Sequence, residues 1–186
     1  MMSVASLFFP KFLLFTPFIW VAMIVLRAFT FRTLCASIFG IITPYWILFS
    51  LVFVYGDFNS VFAHFIGDFH LSLPDYTCWS MHNWLSLALV VTMGITGSIN
   101  FHMRSHLDKT RTRTYIYVAI ILFAASTLFL LWETTHFNEI FPLLIINSSI
   151  LTGHHLAQEY SRFSNIYTIV VCLLIASVAY ANFIGL

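Results

Sequence analysis

Long apolar runs separated by short gaps, with the cations confined to alternate gaps, constrain this chain more than any other feature. Seven of its eight Lys and Arg residues, Arg27, Arg32, Arg104, Lys109, Arg111, Arg113 and Arg162, fall in the gaps at 27–33, 101–114 and 158–164. The two intervening gaps, Gly56–Asn83 and Glu133–Glu139, hold five of the seven acids and no Lys or Arg. Such alternation in short loops is the positive-inside pattern of a polytopic membrane protein, and it predicts the three basic gaps on the cytoplasmic side.

Composition agrees. With 60% hydrophobic residues, 8% charged and a mean hydropathy of +0.92, the chain carries more apolar material than a soluble domain of 186 residues needs. The formal net charge of +1 carries no information on partners, and no charge run points to nucleic acid. Three cysteines cannot all pair, and their positions (Cys35 and Cys172 in apolar runs, Cys78 in an outer loop) predict no structural disulfide. The start of the chain lacks a basic n-region and a small-residue cleavage pattern, so it reads as retained.

A bilayer core of about 30 Å needs about 20 apolar residues in a helix. Six segments fit or nearly fit: Phe12–Leu26, Leu34–Tyr55, Trp84–Asn100, Tyr115–Trp132, Ile140–Ala157 and Ile166–Ile184. Lipid leaves no partner for open strand edges, so the segments are expected as helices. The fold class that follows is all-α, a polytopic bundle of about six spanning helices forming one integral membrane domain over residues 1–186. Kinks are expected at Pro17 and Pro44. Aromatics at segment ends (Tyr55, Trp79, Trp84, Tyr115, Tyr117, Trp132 and Tyr160) suit membrane–water interfaces. Within the long outer gap, Asp57–Phe69 places Phe58, Val61, Phe62, Phe65, Ile66 and Phe69 at helical spacing. It reads either as an amphipathic helix on the outer surface or as a lid over the bundle. Three cytoplasmic gaps among six helices put both termini outside with nothing to drive that insertion. The chain is therefore expected to be the C-terminal part of a longer protein.

The fifth segment is the most polar, with Asn147, Ser148, Ser149 and Thr152 on a helix where polar groups at membrane depth are costly unless they face the bundle interior or water. Two readings stand: a buried helix bonded to its neighbours, or a functional helix. His155 and Glu159 share a face at i, i+4, and Glu133 with His136 forms an E-x-x-H pair. A fifth helix of about 30 Å separates the two pairs, so they cannot share a metal, and no metal site or cofactor is expected. The histidines divide into 64, 70, 82 and 136 on the outer side and 102, 106, 154 and 155 on the inner, with none at the midplane where haem would sit. No nucleotide-binding loop, C-x-x-C or G-x-S-x-G occurs, and no segment centre carries an ionisable residue suited to ion coupling. Arg104, Lys109, Arg111 and Arg113 set topology; they also suit contact with lipid head groups or the phosphate of a lipid-linked sugar.

The stretch Ser6–Tyr55 carries S-L-F-F-P, an apolar helix, Arg27-Ala-Phe-x-x-Arg32, and a helix with Gly40 and Pro44-Tyr45. It resembles the polytopic membrane proteins of Bacteroidetes-type bacteria that form a domain-of-unknown-function family. The resemblance implies a multi-pass protein of the bacterial inner membrane and brings no activity with it. More distantly, the succession of helices and basic turns is similar to membrane glycosyltransferases that use polyprenyl-phosphate sugars. Those place a catalytic acid in a first outer loop that has no counterpart here, so no catalytic residue carries over. The expected role is a non-catalytic scaffold or partner subunit in envelope biogenesis, in contact with the lipid bilayer and another membrane protein or lipid-linked sugar. The alternative is a fragment of a glycosyltransferase-like enzyme.

Overall fold

The computed structural model describes residues 6–7, 10–56, 67, 76–104, 109–158 and 162–184, and the regular structure among them is entirely helical. Six α-helices are delimited among the described residues: α1 (Thr16–Val25), α2 (Phe31–Tyr55), α3 (Met81–Arg104), α4 (Thr110–Trp132), α5 (Phe137–Gln158) and α6 (Arg162–Ile184). Short 3-10 stretches precede α1 at Pro10–Phe15 and α3 at Tyr76–Cys78. The apolar windows within α2, α3, α4 and α5 are each long enough to cross a bilayer, whereas those at Pro10–Val25 and Asn165–Tyr180 are shorter. The chain is a helical membrane protein. It packs as two compact units, Met1–Ser72 and Leu73–Leu186. The expected amphipathic segment Asp57–Phe69 lies outside the described residues apart from Gly67.

In the first unit a tight turn joins α1 to α2. Arg27 takes a left-handed backbone (φ 55°), while the Ala28 N–H reaches Met23 O at 3.0 Å and the Arg27 N–H reaches Ile24 O at 2.9 Å. That pair of bonds closes the last turn of α1 as glycine more often does. Thr30 then caps α2. Its hydroxyl accepts from the Thr33 N–H at 3.3 Å, and the Thr33 hydroxyl accepts from the Thr30 N–H at 2.9 Å. Trp20 Nε1 donates to Ser37 Oγ at 3.1 Å, and Tyr45 donates to Ser6 Oγ at 2.6 Å, tying the two arms together. Pro17 lies in the first turn of α1, where a missing N–H leaves nothing unbonded. Pro44 lies inside α2, which runs on through it.

In the second unit α3 packs chiefly on α5, α4 on α5, and α6 on α3. Small residues set the approach. A Cβ on Gly97 would stand 2.9 Å from the Leu151 backbone, and one on Gly94 would run into the Phe123 ring. Contacts at the helix ends fix the alternation. Trp79 and Tyr76, just before α3, bond to Thr134 O and Leu131 O at the end of α4, both at 2.9 Å. At the opposite end Phe101 meets Tyr117 and His154 at ring-centroid separations of 5.2 and 5.9 Å. The segments before α3 and after α4 thus share one end of the bundle. The end of α3, the start of α4 and the end of α5 share the other.

Candidate functional site

Three groups of polar or charged residues emerge, one inside the second unit and one at each end of it. The interior group centres on α5. Asn147, Ser148 and Thr152 are buried. The Asn147 amide reaches Leu122 O and Ser126 Oγ on α4, both at 3.4 Å. Thr152 donates to Ser148 O at 2.8 Å and leans toward Met93 O on α3 at 3.4 Å. Ser148 bonds within its own helix to Ile145 O at 2.9 Å. Ser149, grouped with these from the sequence, requires correction. One residue on from Ser148 is about 100° around the helix, which turns Ser149 to the exposed face. There its hydroxyl returns to Ile146 O at 2.8 Å.

The end that holds residues 76–84 and 131–137 is an aromatic cap over two buried polar residues. Trp79 is buried, with its ring 4.8 Å from Trp84 and 5.2 Å from Phe137. Tyr76 packs on Trp79 at 5.6 Å, and Phe137 stacks on Phe141 at 4.8 Å. Glu133 and Thr134 lie beneath, 2% and 3% exposed. Glu133 is buried at the close of α4, while His136 Nδ1 sits 3.3 Å from Glu139 Oε2 in the next turn.

Among the described residues the opposite end carries Arg104, Lys109, Arg111 and Arg113 with His102, His154 and His155. Lys109 and Arg111 are exposed, and Arg104 and Arg113 half-buried. His155 is buried, its ring edge-on to Tyr167 of α6 at 5.6 Å. Tyr167 Oη lies 2.8 Å from Thr96 Oγ1, whose own proton goes to Met93 O at 2.9 Å, so Tyr167 is the donor. Glu159 lies outside the described residues, as does any geometry for its pairing with His155. Among the described residues no three His, Cys, Asp or Glu side chains gather to hold a metal.

The burial of Glu133, Thr134 and Trp79 had no signal in hydropathy, because a turn between apolar runs reads as exposed. The clue was Trp79-x4-Trp84, two indoles five residues apart beside a short 133–136 turn. Gly94-x-x-Gly97 was the readable sign of the α3 contact face. The chain matches no protein-family model, curated protein or solved structure.

Proposed function

We propose that this chain is a multi-pass protein of a bacterial inner membrane that serves as a non-catalytic scaffold or partner subunit in envelope biogenesis. The observation that carries this reading is how the interior of the second unit is occupied. Gly97 seats against the Leu151 backbone, Gly94 lies under Phe123, and the Asn147 amide reaches α4. These groups hold helices together. Acid–base chemistry needs ionisable groups within reach of one substrate atom. Here Glu133, His136 and Glu139 belong to the aromatic-cap end, and Arg104, His154 and His155 to the other. The likeness of Ser6–Tyr55 to the Bacteroidetes-type proteins supports the bacterial setting, and the basic gaps support a cytoplasmic 101–114 loop.

Complementation tests the role. In a strain lacking the gene, Glu133→Gln and His155→Gln present at normal membrane abundance should restore the envelope phenotype. Failure of either at normal abundance would favour an enzyme, as would sugar transfer from a polyprenyl-phosphate donor by the purified chain. Orientation is tested in a cysteine-free background. A membrane-impermeant maleimide should label Thr77→Cys from the periplasm and leave Lys109→Cys unlabelled; the opposite result overturns the orientation.

A further inference from the structure

Helix α4 carries its own depth gauge. Tyr115 near its start and Trp132 at its end are both more than half exposed. Seventeen residues apart, they are separated by about 26 Å along the axis, close to the roughly 30 Å of a hydrocarbon core. Exposed aromatic rings at that spacing sit where hydrocarbon gives way to head groups. Arg111 lies one turn beyond Tyr115 on the same face, about 6 Å further out, at the level of the lipid phosphates. Lys109 precedes it, and both cations are exposed. Arg113 and Arg104 stand half-buried nearby, and among the described residues neither Lys109 nor Arg111 forms an ion pair with a carboxylate.

We propose that Lys109 and Arg111 form a contact surface for anionic phospholipid head groups of the adjoining leaflet, with Tyr115 fixing the depth at which they meet the phosphates. Long side chains of this kind keep their heads in the polar layer while their stems cover apolar surface. Each cation close to an anionic leaflet strengthens the interaction by about five-fold, and salt screens it.

The test is lipid retention by the full chain, purified from micelles mixed with phosphatidylglycerol and phosphatidylcholine and read by native mass spectrometry. The wild-type chain should keep phosphatidylglycerol several-fold in preference, and Lys109→Gln with Arg111→Gln should bring the ratio close to one. Circular dichroism should show unchanged helix content in the double variant. Millimolar inorganic phosphate should leave the wild-type preference intact, because a free anion lacks the bilayer's hold on position. No preference in the wild type, or one that survives the double substitution, overturns the proposal. Loss of the preference on adding phosphate would assign the cations to a soluble anion and overturn it too.

Discussion

Helices α2 and α4 are near equals in apolarity and opposites in burial. Of the apolar window of α2 in the first unit, 6% is buried; of that of α4 in the second, 39%. Helix α5 is the least apolar of the four spans and is buried to the same 39% as α4. Greasiness therefore does not decide how far a helix is buried. Lipid tails are as apolar as leucine, so burying an apolar side chain against another helix gains little over leaving it in lipid. Close approach and polar bonds decide instead. Helix α3 brings Gly94 and Gly97, α4 brings Ala119, Ala125 and Ser126, and α5 brings Asn147 and Thr152, all buried. On α2, Gly40 has no atom within 4 Å of where a Cβ would stand, and Thr43 and Ser50 donate at 2.7 Å to carbonyls of their own helix.

Substituting glycines on the two helices tests that contrast most sharply. Gly97→Ala forces a methyl to within 2.9 Å of the Leu151 carbonyl group. Backbone cannot swing aside, so α3 and α5 must separate, at about 1–3 kcal/mol. Gly94→Ala should cost less, because a ring can shift where a backbone cannot. Gly40→Ala meets nothing and should stabilise by up to about 1 kcal/mol through helix propensity. Unfolding by graded SDS in mixed micelles reads all three. A neutral Gly97→Ala would show that the α3–α5 contact is not held by close approach.

Polar bonds should show the same contrast within one helix. Asn147→Leu removes the amide that reaches α4 and should lower stability by about 0.6–2 kcal/mol. Ser149→Leu, two positions along on the exposed face, should stay within about 0.5 kcal/mol of wild type. Equal effects at the two positions would mean that burial on α5 carries no energetic weight.

These residues also mark how far the sequence could be read. Six helices were legible from their apolar runs, but only four of them, α2 to α5, hold windows long enough to cross a bilayer, fewer than the six spans expected. The helix ends were not legible. Trp84–Asn100 looked short, yet α3 runs from Met81 to Arg104, and α4 begins at Thr110, five residues before the apolar run. Hydropathy marks the part of a helix that lies in lipid, and a helix can continue into water on polar residues. The first segment divided, since Pro10–Phe15 is a 3-10 stretch and only Thr16–Val25 is α-helical. The polarity of α5 was plain, but which of its hydroxyls faced a neighbour was not. Asn147, Ser148 and Ser149 point in three adjacent directions, and the sequence does not say where α4 lies. The buried Lys11 and Ser6 left no trace in the sequence at all, because each belongs to a segment end that apolar periodicity treats as loop.

The aromatic cap gives a smaller and more local effect. Trp79→Phe keeps most of the ring packing against Trp84 and Phe137 but removes the donor to Thr134 O. A buried carbonyl left without its donor should cost about 1 kcal/mol. Tyr76→Phe, exposed and bonded to Leu131 O, should cost less, because water can replace the lost hydroxyl. If the two substitutions cost the same, the cap is wetter than its burial implies.

The smallest expected effect belongs to the first unit, where one polar bond between α1 and α2 is the counterpart of Asn147. Trp20 Nε1 donates to Ser37 Oγ across 3.1 Å, with both residues half-buried. Ser37→Ala removes the acceptor and leaves the indole N–H to find another partner. Bonds between helices in membranes average about 0.6 kcal/mol, because the separated helices also satisfy their polar groups. Trp20 is only part-buried, so its loss should fall at or below that average and under the loss from Asn147→Leu. The same SDS titration makes the comparison. A loss from Ser37→Ala as large as that from Asn147→Leu would break the contrast between the units, since a half-buried bond would then hold helices as firmly as a buried one.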